Sequence, residues 1–423
     1  MFIFIIVESY TLSSLSSLLF NFKGQCVESF SSEENSQALL IRCRRDRRFK
    51  ATTPTTNAPC TVDHYIRRRV QDLPVNGRPC EVEIELAQTR DKEGRRLIEV
   101  TEYVAKGGRY TARFCKFISG LCRYMSIQAV SKHLGIRWET VKNIDREYLR
   151  SSLPALEPKK LVDLVHIGVD EVARAKGHDY MTVVYDLVSG HLIWVEHGRK
   201  SSVLISFFEQ LSTTTREGIK AVSMDMGQAY QSAVKKMLPN ADIVFDRFHV
   251  MQNYCVLIKK ERTKAFKNGS LEEKRMLKGT LFLLLKNAVN LNDKQSDRLD
   301  DLLESNKTLC IIYMLKEQLQ AIWDEPSYDS MVTALETWCR LAKSTRILSL
   351  SNFADALLER KVGICNYAKY KLTNARVEAG NVSIGLLRRR ARGVRDSDYF
   401  KLKIRQTSIP DTHSTFYPNI KLM

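Results

Sequence analysis

The sequence predicts an α/β protein in which a mixed-sheet core and a long helical stretch are preceded by a small β-rich module and a helix-turn-helix. Three observations carry this reading. Across residues 161–250, strand-like apolar runs first follow one another over tight connections, then alternate with helical segments. In RPCEVEIELAQTR (Arg78 to Arg90), Val82, Ile84 and Leu86 alternate with acids, the two-residue period of a half-buried strand. In SIQAVSKHLGIRWETVKNIDREYL (Ser126 to Leu149), two runs of helical spacing flank Gly135.

Taken in order, residues 1–60 read as an atypical, poorly ordered N-terminal segment. MFIFIIVESYTLSSLSSLLF lacks the positive start and small-residue cleavage site of a secretion signal and is too polar for a membrane span. RCRRDRRFKATTPTTNAPC reads as a linker or arm, a basic run followed by Thr, Pro and Asn. Residues 61–108 form the β-rich module, with RRLIEVTEY (Arg95 to Tyr103) as the hairpin partner of Arg78 to Arg90. Residues 109–155 hold the helix-turn-helix. Ile127, Val130 and Leu134 line its first helix, and Ile136, Val141 and Ile144 continue the apolar face, leaving Arg137, Glu139, Thr140, Lys142 and Asn143 exposed on the second.

The core begins at residues 160–250. Strands are expected at 163–170, 180–187, 191–197, Ile219 to Met226 and Ala241 to Val250, with helices at Ser202 to Leu211 and Gln228 to Leu238. Residues 251–365 are helix-like throughout, residues 366–405 return to the core with one more acid-bearing helix, and 406–423 form a tail. Trp194 and Trp338 are expected in the core. No internal repeat is evident.

The 423 residues carry 66 Lys and Arg against 48 Asp and Glu, a net charge of +18. Such a surplus favours polyanions, nucleic acid first, although ribosomal and membrane-surface proteins share it. Ten cysteines scattered from Cys26 to Cys365 are too sparse for a disulfide scaffold and imply a reduced, intracellular protein.

Against that basic background three acids stand out. Asp170 follows the first strand run, Asp225 follows KAVSM, and Glu378 lies early in the late helix. Acids at the ends of neighbouring strands can converge, and a helix packed on the sheet can add a third. Carboxylates without Cys or His clusters favour Mg²⁺ or Mn²⁺, and two such ions serve phosphodiester chemistry. Taken singly, Asp170 also suits a solvent-facing strand end, and Asp225 a cap for the helix near Gln228. Glu171 is expected on the opposite face, in a structural role.

The blocks IGVDEVARAKGHDYMTVVYDLVSG, AVSMDMGQAYQSAVKKMLPNADIVFDRFHV and TNARVEAGNVSIGLLRRRARG resemble, in order, the signature blocks of bacterial DDE transposases of the ISL-three family. The resemblance runs from about Val70 to beyond Phe400. It implies an RNase H-like core with a helical insertion before the last acid, Asp170, Asp225 and Glu378 as catalytic and metal-binding triad, and two divalent ions. It also implies strand cleavage at insertion-sequence ends followed by 3′-OH transfer to target DNA, by a homo-oligomer in the cytoplasm, on the nucleoid, with no membrane partner. Within FDRFHV, Asp246 and His249 have an Asp-x-x-His spacing like that of related transposase cores, which makes them candidate neighbours of the site, equally readable as a strand-end pair. The family's paired Cys-x-x-Cys zinc module is not matched: Cys26, Cys43, Cys60 and Cys80 are dispersed, so no zinc is expected. EAGN also departs from the family, where Gly more often follows the Glu directly.

Candidate DNA contacts are Arg137, Thr140, Lys142 and Asn143, the cluster Arg388, Arg389, Arg390, Arg392 and Arg395, and Arg67, Arg68 and Arg69. Other readings of the same chain are a further RNase H-like nuclease such as a resolvase, an inactive transposase-derived DNA-binding protein, and a basic structural or RNA-binding protein.

Overall fold

The computed structural model describes residues 20–32, 38–52, 60–90, 94–105, 107–175, 177, 179–372, 375–391 and 395–409. The described residues divide into two compact units, one up to residue 153 and one from 154 to 409.

In the first unit, β1 (Gln25–Ser32), β2 (Leu39–Arg45), β3 (Val62–Val75), β4 (Arg78–Arg90) and β5 (Arg96–Ile98) form one sheet in the order β1-β2-β4-β3, with β5 on β4. The alternation in β4 appears as expected: Cys80, Val82, Ile84 and Leu86 are buried, while Glu81, Glu83 and Glu85 face outward. Those acids explain the neighbouring arginines. Glu83 pairs with Arg42 at 3.6 Å, Arg67 at 3.3 Å and Arg69 at 3.4 Å, and Glu85 pairs with Arg47 at 3.0 Å. The basic run read as an arm is therefore corrected in part. Arg42 to Arg45 belong to a strand parallel to β4, where Arg42 finds Glu83 on β4, Arg44 finds Glu28 on β1 at 3.6 Å and the buried Arg45 finds Glu99 at 2.9 Å. The hairpin partner of β4 is present but short, pairing Gln88 with Ile98 and Arg90 with Arg96. Residues 1–19 and 53–59 lie outside the described residues.

The same unit holds α1 (Ala112–Tyr124), α2 (Ile127–Leu134) and α3 (Trp138–Ser152). Ser126 caps α2, and Gly135 ends it at φ 66°, a left-handed turn that suits glycine. Phe114, Ile118, Cys122, Val130, Ile136 and Val141 form the core of this three-helix module, with Ile127, Leu134 and Ile144 packed beside it.

In the second unit, β6 (His166–Ala175), β7 (Asp179–Asp186) and β8 (Leu192–His197) run antiparallel. The chain then passes through α4 (Ser201–Gln210), α5 (Thr213–Gly218), β9 (Ala221–Met224), α6 (Gln228–Met237) and β10 (Asp242–Phe245). Among the described residues these strands form one mixed sheet in the order β10-β9-β6-β7-β8, with β9 parallel to β6 and β10 parallel to β9. Two expectations change. β6 continues past Asp170 to Ala175, so Asp170 lies mid-strand. The stretch read as one strand to Val250 breaks at Asp246, whose carboxylate caps α7 (Arg247–Asn268). Its Oδ1 accepts the Phe248 N–H at 3.0 Å, and that cap turns the chain from strand to helix.

Helices follow: α8 (Leu271–Leu277), α9 (Leu281–Leu285), α10 (Asp293–Ser305), α11 (Lys307–Ala321), α12 (Tyr328–Ser344), α13 (Leu348–Glu359), α14 (Lys361–Tyr370), α15 (Ala375–Ala391) and α16 (Ser397–Ser408). The two faces of the sheet bury different cores. Ile167, Val169 and Val184 join the large core of α4, α6, α7 and the following helices, which includes Trp194 and Trp338. Val172, Met181, Val183 and Tyr185 pack under α15 and α16 through Val377, Ile384, Leu387 and Phe400. Among the described residues no helix is long and apolar enough to cross a membrane.

Candidate active site

The sheet register brings the first two acids together. β6 and β9 pair Gly168 with Ser223, so two residues further along each chain Asp170 and Asp225 reach the same level. β9 ends there while β6 continues, which opens a cleft of about 760 Å³. Asp170, Glu171, Asp225 and His249 line it, with Gln252 and Asn253 of α7 and Arg360 at the α13–α14 junction.

Each acid is held locally. Asp170 Oδ1 accepts the Glu171 N–H at 2.7 Å, and its Oδ2 accepts Asn381 Nδ2 at 2.6 Å. Asp225 does not cap α6, whose N-cap is Gly227. Its Oδ1 folds over the Gly227 N–H at 2.9 Å, and a Cβ on that glycine would stand 2.8 Å from the same oxygen. Glu378 is half-buried on α15 and is not among the cleft-lining residues. α15 comes close to the sheet because Gly380 rests directly on the Tyr185 hydroxyl, where a side chain would collide.

The electrostatics tie these groups into one field. Burial raises the proton affinity of Asp170, and the charge of Asp225 adds to it. The Glu171 N–H, the His249 ring and Asn381 act the other way. Burial also raises Glu378, followed by the charges of Asp246 and Asp170, with His249 opposing. Glu171 is raised by burial and then by Asp225. Its side chain alternates away from Asp170, as expected, yet it lines the same cleft and pairs with Arg199 at 3.7 Å, so its surroundings are those of the site. Arg199 in turn lies over the Tyr180 ring at 4.5 Å.

Among the described residues, no group of three or more His, Cys, Asp or Glu side chains gathers closely enough to hold a metal ion as arranged here. The chemistry of the donors nevertheless fits a hard cation. They are carboxylates, and two further buried oxygens beside them, Asp246 Oδ2 and Asn381 Oδ1, have no hydrogen-bond partner. Buried acceptors without partners are costly and mark where an ion or water belongs. Cys43 and Cys80 are buried in the apolar core of the first unit, and burial pushes both thiols up to about 12.

Of the expected DNA contacts, Arg137 and Asn143 are exposed and Thr140 and Lys142 half-buried. Asn143 Oδ1 accepts Arg146 Nη2 at 2.9 Å. Sequence reasoning passed over Trp138, which is 53% exposed in the first turn of α3, at the open end of the stripe that Val141 and Leu149 continue into the core. Arg388 differs from its expected role: its Nη1 donates to the Ala173 carbonyl at 3.0 Å, tying α15 to β6. Arg389 is exposed, Arg390 half-buried, and Arg392 lies outside the described residues. The Arg395 carbonyl accepts Arg174 Nη1 at 2.8 Å. Arg67 and Arg69 face the acids of β4, and the Arg68 guanidinium lies against Gly108. Asn381 and Gly227 were also missed. The signal for Asn381 was its place one helical turn after Glu378 on the same face.

Two family models match this chain. Residues 99–149 match the helix-turn-helix domain of transposase family ISL3, and residues 167–404 match the DDE transposase domain of that family. The transposase for insertion sequence element IS1001 of Bordetella parapertussis is 33% identical over 347 residues, covering 80% of this chain and 84% of that protein. The transposase for insertion sequence element IS1557 of Mycobacterium tuberculosis is 26% identical over 309 residues, covering 68% and 69%. A simian T-cell lymphotropic virus intasome in complex with a PP2A regulatory subunit gives a TM-score of 0.17 at 20% identity, over 43% of this chain and 71% of that one, too weak an overlap to relate the folds. The class is thus a DDE transposase with a helix-turn-helix. The chain belongs to the ISL3 family of insertion-sequence transposases.

Proposed function

We propose that Asp170, Asp225 and Glu378 carry the strand cleavage and strand transfer of this transposase within an RNase H-like core. The observation that carries the reading is the register of β6 and β9, which sets Asp170 level with Asp225 on one cleft, in the charge field that Asp170 shares with Glu378. The mixed sheet, three antiparallel strands continued by two parallel ones, supports the core assignment.

The three carboxylates would hold the divalent cations, Mg²⁺ or Mn²⁺. Two bound ions supply activation of the attacking oxygen and charge stabilisation at the leaving one. The chain's own residues do the positioning. Asn381 and the Glu171 N–H orient Asp170, and Gly227 leaves room for Asp225 to turn into the cleft. His249 places a ring beside both acids. In the first step a water oxygen attacks the phosphorus at the element end, and the P–O3′ bond breaks to leave a 3′-OH. That hydroxyl then attacks a target phosphodiester, forming one P–O bond as another breaks. Such catalysis rests on alignment and preorganised charge.

The second helix of the helix-turn-helix, α3, reads the element ends in the major groove through Arg137, Thr140, Lys142 and Asn143, and Arg389 and Arg390 contact phosphates. Joining two ends calls for a homo-oligomer on DNA.

The test is cleavage of DNA carrying the element's ends in Mg²⁺ or Mn²⁺, wild type beside Asp170→Asn and Glu378→Gln, with strand joining read in the same reaction. Cleavage and joining by the wild type alone is the expected result. Cleavage retained in either variant overturns the triad. Cleavage without joining makes the protein a nuclease, and end binding without cleavage makes it a DNA-binding derivative.

A further inference from the structure

Helix α7 links two surfaces. Its N-cap is Asp246, and its first turns put His249, Gln252 and Asn253 on the acid-lined cleft. Its inner face, Val250, Tyr254, Leu257 and Ile258, is buried in the core. Further along the outer side is a second groove of about 470 Å³, lined by Val256, Lys259, Lys260, Thr263, Lys264 and Lys267. All six residues are exposed. Among the described residues none of the four lysines forms an ion pair. This contrasts with the arginines of β2 and β3, which face the acids of β4.

An uncompensated row of ammonium groups repels itself and is stabilised by a polyanion. Its spacing suits one. Lys259 to Lys267 spans about 12 Å of helix, the reach of roughly three to four phosphates along one strand of a duplex. From His249 to Lys267 the helix covers about 27 Å, so the row lies along a straight path out of the cleft. Ammonium groups on flexible stems make point contacts with phosphate and read no base edges.

We propose that the outer face of α7 is a phosphate track: Lys259, Lys260, Lys264 and Lys267 hold the backbone of the duplex that flanks the scissile phosphate. The placement of the scissile phosphate rests on the reading of the acid cleft given above. The track acts independently of sequence. It makes α7 the element that sets the angle at which DNA leaves the cleft.

The test is a salt titration of full-length protein binding a fluorescent duplex of arbitrary sequence, without divalent cation, so that cleavage plays no part. Lys259→Ala/Lys260→Ala/Lys264→Ala/Lys267→Ala is compared with wild type and with a charge-matched control, Lys235→Ala/Lys236→Ala/Lys294→Ala/Lys307→Ala, at exposed positions on α6, α10 and α11. Each phosphate contact contributes about 0.9 to the slope of log K against log salt, so the track variant is expected to lose about 3 to 4 from the slope and the control about none. A track variant that keeps the wild-type slope, or loses no more than the control, overturns the proposal. A matching far-ultraviolet circular dichroism spectrum excludes misfolding as the cause of any loss. A normal slope change with an inactive cleft would sink the catalytic reading alone, and an active cleft with an unchanged slope would sink the track alone.

Discussion

Asn381 Nδ2 donates to Asp170 Oδ2 at 2.6 Å, across 211 residues of sequence, while Asn381 Oδ1 remains buried without a hydrogen-bond partner. The amide must present its donor to the carboxylate, because its carbonyl there would meet a like charge. Asn381 thus holds Asp170 in the cleft and favours its charged form. Asn381→Ala is expected to lower the cleavage rate about 10- to 100-fold with end binding retained, the usual cost of losing a group that orients a metal-binding carboxylate. The sign of the pH effect follows from the bond. Without the donor Asp170 holds its proton more tightly, so the acid limb of the pH–rate profile should move to higher pH. A rate loss with an unmoved acid limb would reduce Asn381 to a packing role. Asn381→Asp should be the more damaging change, since it adds a negative charge beside Asp170.

Gly227 tests the second acid. Its φ of −68° suits any residue, so substitution there is a question of space alone. A Cβ at 2.8 Å from Asp225 Oδ1 must displace the carboxylate. Gly227→Ala is expected to cost about 100-fold in cleavage with unchanged thermal stability, as a misplacement of about 1 Å does. Wild-type cleavage by this variant would show that the orientation of Asp225 is immaterial.

Burial and the charges of Asp246 and Asp170 raise the proton affinity of Glu378. A carboxyl raised in the folded state costs stability above its folded pKa, and the cost disappears as pH falls through that value. Glu378→Gln should therefore raise the thermal midpoint at pH 7 without divalent cation by about 1 to 2 °C, a small shift because the group is only half-buried. The gain should vanish at acid pH, where the wild-type group is itself neutral, and should shrink when Mg²⁺ or Mn²⁺ stabilises the wild type. A midpoint lower than wild type at pH 7 would contradict the raised affinity.

Arg137 and Trp138 are both exposed at the start of α3. Arg137→Ala is expected to weaken binding to the element's ends by about 1 to 3 kcal/mol if the guanidinium reads a base edge, with less loss on arbitrary duplex. Equal loss on both would make Arg137 a phosphate contact. Trp138→Ala should weaken end binding with no change in the salt slope, since it removes apolar contact and no charge.

Much of this protein was legible along the chain because the signals are local. Alternation in β4, helical spacing around Gly135, and the apolar runs before Asp170 and Asp225 each reflect a period set by backbone geometry. The failures came where partners are remote. Arg42 to Arg45 read as an arm because their acids are remote in sequence: Glu83 on β4 for Arg42, Glu28 on β1 for Arg44 and Glu99 for Arg45. Asp246 read as part of a strand because its cap depends on the chain turning into α7. Arg388 read as a DNA contact, because its hydrogen bond to the Ala173 carbonyl on β6 is not visible in the sequence.

By itself, then, the sequence marked most strands and helices from β6 onward, the helix-turn-helix and the family resemblance, and singled out three acids as candidates. Tertiary structure alone decided that Asp170 and Asp225 share a cleft, that Glu171 lines it too, that Asn381 grips Asp170, and that one face of α7 carries unpaired lysines away from it. The division has a physical cause. Secondary structure follows from neighbours a few residues apart, whereas a site is made where strand register and helix packing bring distant carboxylates and amides within hydrogen-bond reach.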